Sequence, residues 1–173
     1  MMFALSVIAS VAFLVYVTFF EKSYPVHDRG VVLITGSSTG IGRHAAEHLV
    51  TTTDYKVFAG VRKQKDYDDI LNLHMDRLIP LMMDVTNHDS CVKAIKIIED
   101  VAVAEQLPFV ALVNNAGVSR EVPAEFHDIN DAKMLFDTNF WGIVDLVQLA
   151  LPMLRESKGR IVMLSSVGTM MRK

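Results

Sequence analysis

The chain has 173 residues and a formal net charge of −3, with a sequence pI near 6.0, which leaves room for about one domain of average size. It is not basic enough for a nucleic-acid partner, and a single cysteine, Cys91, excludes an internal disulfide and fits a reducing compartment. A hydrophobic share of 51% and a mean hydropathy of +0.29 are high for a soluble domain, and the excess lies at the front.

Residues Met1–Phe20, MMFALSVIASVAFLVYVTFF, carry no charged side chain. A helix of about 20 residues crosses the roughly 30 Å hydrocarbon core of a bilayer, so the segment predicts a retained transmembrane anchor. The alternatives are a buried helix and a cleaved signal peptide. The latter would want a basic start and a small-residue cleavage site, whereas Phe13, Leu14, Val15, Tyr16 and Val17 follow Ala12. Lys22 and Arg29 come after the span and no basic residue precedes it, which favours a cytosolic domain on a membrane, with the endoplasmic reticulum as the expected site. The lack of any N-x-S/T sequon agrees with that side. Residues 21–30 read as a linker and residues 31–173 as the domain.

Within the domain, short apolar runs alternate with helical patterns. The predicted strands are Val31–Thr35, Tyr55–Ala59, Leu78–Met83, Phe109–Asn114 and Arg160–Ser165, each apolar on both faces as strands of a covered parallel sheet must be. A first helix carries Ile41, Ala45 and Leu49 on one stripe, widened by Ala46 and Val50. Thr86-x-x-Asp89 resembles a capping box opening a helix with Cys91, Ile95, Ile98 and Ala102 on one face. One long helix is predicted from Asn130, as N-cap, to Leu154, kinked or weakened at Pro152. This alternation points to an α/β doubly wound parallel sheet, the Rossmann type.

The first strand runs into TGSSTGIG, Thr35–Gly42, and then into a helix. Glycines let the backbone turn tightly and approach a phosphate, and the helix offers free N–H groups and its positive dipole end. The spacing is G-x-x-x-G-x-G rather than the general dinucleotide G-x-G-x-x-G, and Arg43 rules out a Walker A loop. At the end of the second strand, VFAGVRK, no acid lies between Tyr55 and Lys65 while Arg62 and Lys63 are present. An acid there would bond a ribose 2′-hydroxyl, whereas a guanidinium suits a 2′-phosphate. NADP(H) is therefore favoured over NAD(H), the alternative being that Arg62 is a solvated surface charge. His44-x-x-Glu47-His48 matches an inverted zinc-protease pattern, but it sits on the phosphate-facing helix with no third ligand evident, so no metal is expected.

TGSSTGIG, then MDV at Met83–Val85, LVNNAG ending at Gly117, FDTNFWG around Asn139 and GRIVMLSSVG resemble, in order, the motifs of the short-chain dehydrogenase/reductase family, over about Val31–Met171. VFAGVRK and FDTNFWGIVDLVQ resemble its retinol, hydroxysteroid and hydroxybutyrate dehydrogenase branch. The resemblance implies that Gly36, Ser38, Gly40, Ile41 and Gly42 line the pyrophosphate and ribose. It places Asp84 and Val85 by the adenine, although a strand-end turn is the other reading of Asp84. Asn114, Ala116 and Gly117 would run beneath the nicotinamide half. Asn139 would hold a water of the catalytic relay, or else make a structural helix–sheet bond. Ser166 would bond the substrate oxygen, or with Ser165 simply cap the strand.

The family's proton donor is a tyrosine in Y-x-x-x-K beyond the serine, and none of Tyr16, Tyr24, Tyr55 and Tyr67 begins such a motif there. The expected function is hydride transfer between NADP(H) and a small lipophilic secondary alcohol or ketone, by a chain truncated at its C-terminal edge and inactive alone. The other class is a noncatalytic, membrane-tethered dinucleotide-binding module or regulatory shortened isoform. The resemblance further implies an uncovered fifth strand and a homo-oligomer interface that is mostly missing.

Overall fold

Runs that are apolar on both faces find cover only between two helical layers, and the computed structural model of the chain builds that arrangement. The structure describes residues 26–120 and 122–166, with Ser10, Phe13, Leu14 and Tyr16. Strands β1 (Arg29–Ile34), β2 (Asp54–Val61), β3 (Leu78–Met82), β4 (Phe109–Asn114) and β5 (Arg160–Met163) form one parallel sheet in the order β3-β2-β1-β4-β5. Between them run helices α1 (Gly40–Thr52), α2 (Gln64–Leu71), α3 (His88–Ala104), α4 (Ile129–Phe136) and α5 (Gly142–Ser157). The Met1–Phe20 anchor reading falls, four residues apart, outside the described residues, and among the described residues no helix is long and apolar enough to cross a membrane.

Side chains of β1 alternate between two cores. Val31 and Leu33 pack with Phe58, Leu112 and the buried face of α3 and α5, including Cys91, Ile98, Leu146 and Ala150. Val32 and Ile34 pack with Val57, Ala59 and the residues Ala46 and Val50 of α1 and Ile70 of α2. Fully burying one such side chain contributes roughly 1.5–3 kcal/mol, so the central strands are held from both sides. Every residue of β5 is exposed.

Local chemistry moves several predicted boundaries. In α1 the predicted Ala46 and Val50 are buried together with Gly42, and Ala45 and Leu49 pack half-buried beside them, whereas Ile41 stands 71% exposed at the helix start. Asn87, not Thr86, caps α3, its Oδ1 accepting from the Ser90 N–H at 2.9 Å. Thr86 instead donates its N–H and hydroxyl to Asp84 Oδ1, at 3.0 and 2.7 Å. The single long helix is in fact two, α4 and α5, joined by a π-helical turn at Asp137–Trp141, with Asp128 rather than Asn130 as the N-cap. Pro152 lies inside α5 without ending it. The highly charged QKDYDDIL, outside the predicted helices, forms α2 and buries only Ile70.

Candidate functional site

β1 leads one way to β2 and β3 and the other way to β4 and β5, so a crevice must open beyond its carboxyl end where the connections diverge. The cleft found there encloses about 400 Å³, and Gly36, Ser38, Ile41, Arg62, Asp84, Val85, Ala116 and Gly117 all line it. Gly40 and Gly42 are not part of that lining. Gly36 and Gly40 adopt φ of +66° and +61°, the left-handed region in which a side chain is strained. Gly42 is buried beneath the loop, where a Cβ would overlap Asn115 Nδ2.

Two residues outside the predicted set hold this loop. Thr35, 2% exposed, uses its Oγ1 to accept the N–H groups of Asn115 at 3.0 Å and Ala116 at 2.9 Å. Asn115 answers by donating Nδ2 to the carbonyls of Thr35 at 2.8 Å and Gly36 at 3.0 Å. These four bonds tie the β1–α1 loop to the end of β4. Asn114, buried below the cleft rather than lining it, turns its Nδ2 to Met163 Sδ of β5 at 3.3 Å. In the Asn-Asn pair the second asparagine does the loop work. The doubling of polar residues at the end of an apolar strand was the available signal.

The lining carries two cations, Arg62 and Lys63, and two carboxylates, Asp66 and Asp84, and its α1 end is the part suited to an anion. Thr39 at the N-cap of α1 makes no side-chain capping bond and the first turn holds no acid, whereas α3 and α4 are capped by Asn87 and Asp128. The first N–H groups of α1 therefore keep their hydrogen-bonding capacity, and the helix dipole adds to it. Across the cleft stand the exposed Arg62 and Lys63, neither of them in an ion pair among the described residues. Asp66, in the first turn of α2, lines the same corner; the sequence search for an acid, which runs only to Lys65, does not reach it. Asp84 lines the cleft, and its Oδ1 closes the turn onto Thr86, as its strand-end reading expects.

The far end of the cleft is set by Asn139 in the π turn. Its Nδ2 donates to the Val118 carbonyl and its Oδ1 accepts the Val118 N–H, both at 2.8 Å, so the side chain makes the kind of structural bond weighed as its alternative role. Ser165 and Ser166 follow β5 at the carboxyl edge, outside the cleft lining, and the Leu164 N–H still donates to the Asn114 carbonyl at 3.0 Å. Cys91 is fully buried under the Asp84 turn; burial, then the charges of Asp145 and Asp84, push its thiol up to about 11. His44 and His48 stack on the outer face of α1, with Glu47 between them paired to Arg43.

A family model described as short chain dehydrogenase matches residues 30–173. The chain is 38% identical to 11-beta-hydroxysteroid dehydrogenase-like 3 of Arabidopsis thaliana over 80% of its own length and 45% of the relative's. It is 35% identical to estradiol 17-beta-dehydrogenase 2 of Rattus norvegicus over 98% of its length and 44% of the relative's. It thus spans less than half the length of these curated relatives. Among solved structures, NADPH-bound carbonyl reductase from chicken fatty liver superposes with a TM-score of 0.74 at 26% identity, covering 82% of this chain and 61% of that one. The switch-point cleft, the glycine loop and these matches together place the chain in the short-chain dehydrogenase/reductase family of oxidoreductases.

Proposed function

We propose that this cleft binds NADP(H) and serves hydride transfer between that cofactor and a lipophilic secondary alcohol or ketone. The observation that carries the reading is the pairing of an uncapped α1 N-terminus with the unpaired cations Arg62 and Lys63 on one cleft. The first would take the pyrophosphate, and the second the 2′-phosphate that distinguishes NADP from NAD. Asp66 brings one negative charge to that corner, outnumbered by two positive ones. Asp84 and Val85 would meet the adenine, and Ala116 and Gly117 the nicotinamide half, where the cofactor supplies or accepts the hydride. Ser166 would bond the substrate oxygen.

A lipophilic substrate is supported by the steroid dehydrogenases among the relatives and by the apolar Met1–Phe20 segment. That segment, with Lys22 and Arg29 behind it, also supports a membrane-held protein with its domain in the cytosol, at the endoplasmic reticulum. A second reading, cofactor binding without turnover, is favoured by one observation. The described tyrosines Tyr16, Tyr55 and Tyr67 all lie off the cleft lining, so among the described residues no phenol is placed to move a proton there.

The test is a titration of the full chain with NADPH and NADH, repeated on Arg62→Glu. NADPH should bind at least tenfold more tightly than NADH, and the substitution should reverse or abolish that preference. An NADPH affinity untouched by Arg62→Glu would overturn the cofactor assignment. Oxidation of NADPH by ketosteroids separates the two readings: turnover supports transfer, and tight binding without turnover supports the module.

A further inference from the structure

Gly142 follows the π turn and opens α5. Its N–H donates to the Asp137 carbonyl, the five-residue spacing that makes the turn π-helical. The residue is buried at ordinary helical angles, φ −62° and ψ −36°, so its conformation does not call for glycine. Space does. A Cβ at this position would lie 2.5 Å from the Val85 carbonyl oxygen and 3.0 Å from the Val85 carbonyl carbon. Both neighbours are backbone, which no rotamer change can move aside.

The same helix face makes a second contact just beyond the β3–α3 connection, at the first residue of α3. Asp145, one turn further on, meets His88 Nδ1 with its two carboxylate oxygens at 2.9 and 3.0 Å. Three residues before Gly142, Asn139 clamps Val118 through its two 2.8 Å bonds. Val85 and Val118 line the cleft, as does Thr138 within the turn. The π turn therefore touches one part of the lining through Gly142 and another through Asn139.

We infer that Gly142 is a positioning residue for the cofactor cleft: the depth at which it seats the π turn on Val85 fixes the spacing between the Asp84–Val85 wall and the Gly117–Val118 wall. A methyl group at residue 142 either drives Val85 into the cleft or lifts the turn, taking Asn139 and its hold on Val118 along. For the ligand that fills the cleft, the inference rests on the NADP(H) reading above; for the coupling itself it does not.

The test uses two probes on the full chain: affinity for adenosine 2′,5′-bisphosphate, which reports on the adenine side, and hydrogen exchange at the Val118 amide, which reports on the clamp. In Gly142→Ala both should change at least tenfold, with weaker binding and faster exchange, while the Val32 and Leu33 amides at the sheet centre exchange as in the native chain. Asp145→Ala, which loosens the same seat at an exposed pair, should move both probes in the same direction by two- to threefold. Should Gly142→Ala lose sheet protection as a whole, Asp145→Ala decides alone. Native values for both probes in Asp145→Ala would then overturn the proposal, as would a Gly142→Ala chain that folds with binding and Val118 exchange within twofold of native. If the native chain binds no adenosine bisphosphate, the cofactor reading fails, and the Val118 exchange still decides whether Gly142 sets the clamp.

Discussion

β4 and β5 are adjacent, parallel and in register, Ala111 beside Arg160 and Asn114 beside Met163, yet they live in different environments. In β4, Phe109 and Leu112 are 2% and 0% exposed, whereas Val162 and Met163 in β5 are 44% and 53% exposed. Both strands read as apolar on both faces, so composition marks a strand as able to be covered without saying what covers it. The contrast extends to the site. The groups that would hold a dinucleotide follow the carboxyl ends of the covered strands β1–β4, and the serine that would hold a substrate stands past the end of β5. On the proposed function, cofactor binding and substrate chemistry fall to separate regions, and mutation should be able to part them.

The largest expected difference comes from matched truncations across that boundary. Leu112→Ala removes a fully buried side chain and should cost about 2–5 kcal/mol, whereas Ile161→Ala in β5 should cost less than about 1 kcal/mol; chemical denaturation of both variants measures it. Equal costs would show that β5 is as well covered as β4.

A slightly smaller effect should come from the junction of loop and strand. Thr35→Val leaves the part-buried Asn115 and Ala116 N–H groups without their shared acceptor, at a cost of about 1–2 kcal/mol for each, the lower part of the range for an unsatisfied buried group. Dinucleotide affinity should fall with stability, because the same bonds align the β1–α1 loop. A Thr35→Val chain with native stability would mean that water or another group replaces the hydroxyl.

The smallest effect is one of pH. With its thiol pushed up to about 11, Cys91 keeps its proton in the folded state while the unfolded thiol ionises near 9. Between those two values the folded state binds more protons, so this contribution to stability is complete below pH 9 and is lost as pH rises through 11. The native chain should lose about 1–3 kcal/mol across that window relative to Cys91→Ala. Parallel pH profiles for the two would remove Cys91 from the account.

Much of this was legible in the sequence because it is local. The strand cores, the glycine loop and the basic pair Arg62–Lys63 after β2 each depend on a few consecutive residues, and the structure places each in the sheet or at the cleft. The π turn was not legible, since DTNFWG reads as continuous helix and only contact with the Val85 backbone shows why Gly142 stands there. Asn115 was passed over in favour of Asn114 because a strand end does not reveal which side chain turns up to the loop and which turns down to β5. Asp66 escaped because it reaches the cleft from the next helix rather than from the strand end.

If the cleft is the place where a dinucleotide binds, hydrogen exchange of the full chain with and without NADPH shows it directly. Protection should appear at the amides of Ser38–Gly42, Arg62–Lys63 and Ala116–Gly117, with the β5 amides unchanged. Binding with no protection at the Thr35–Gly42 loop, or protection confined to other segments, would contradict it.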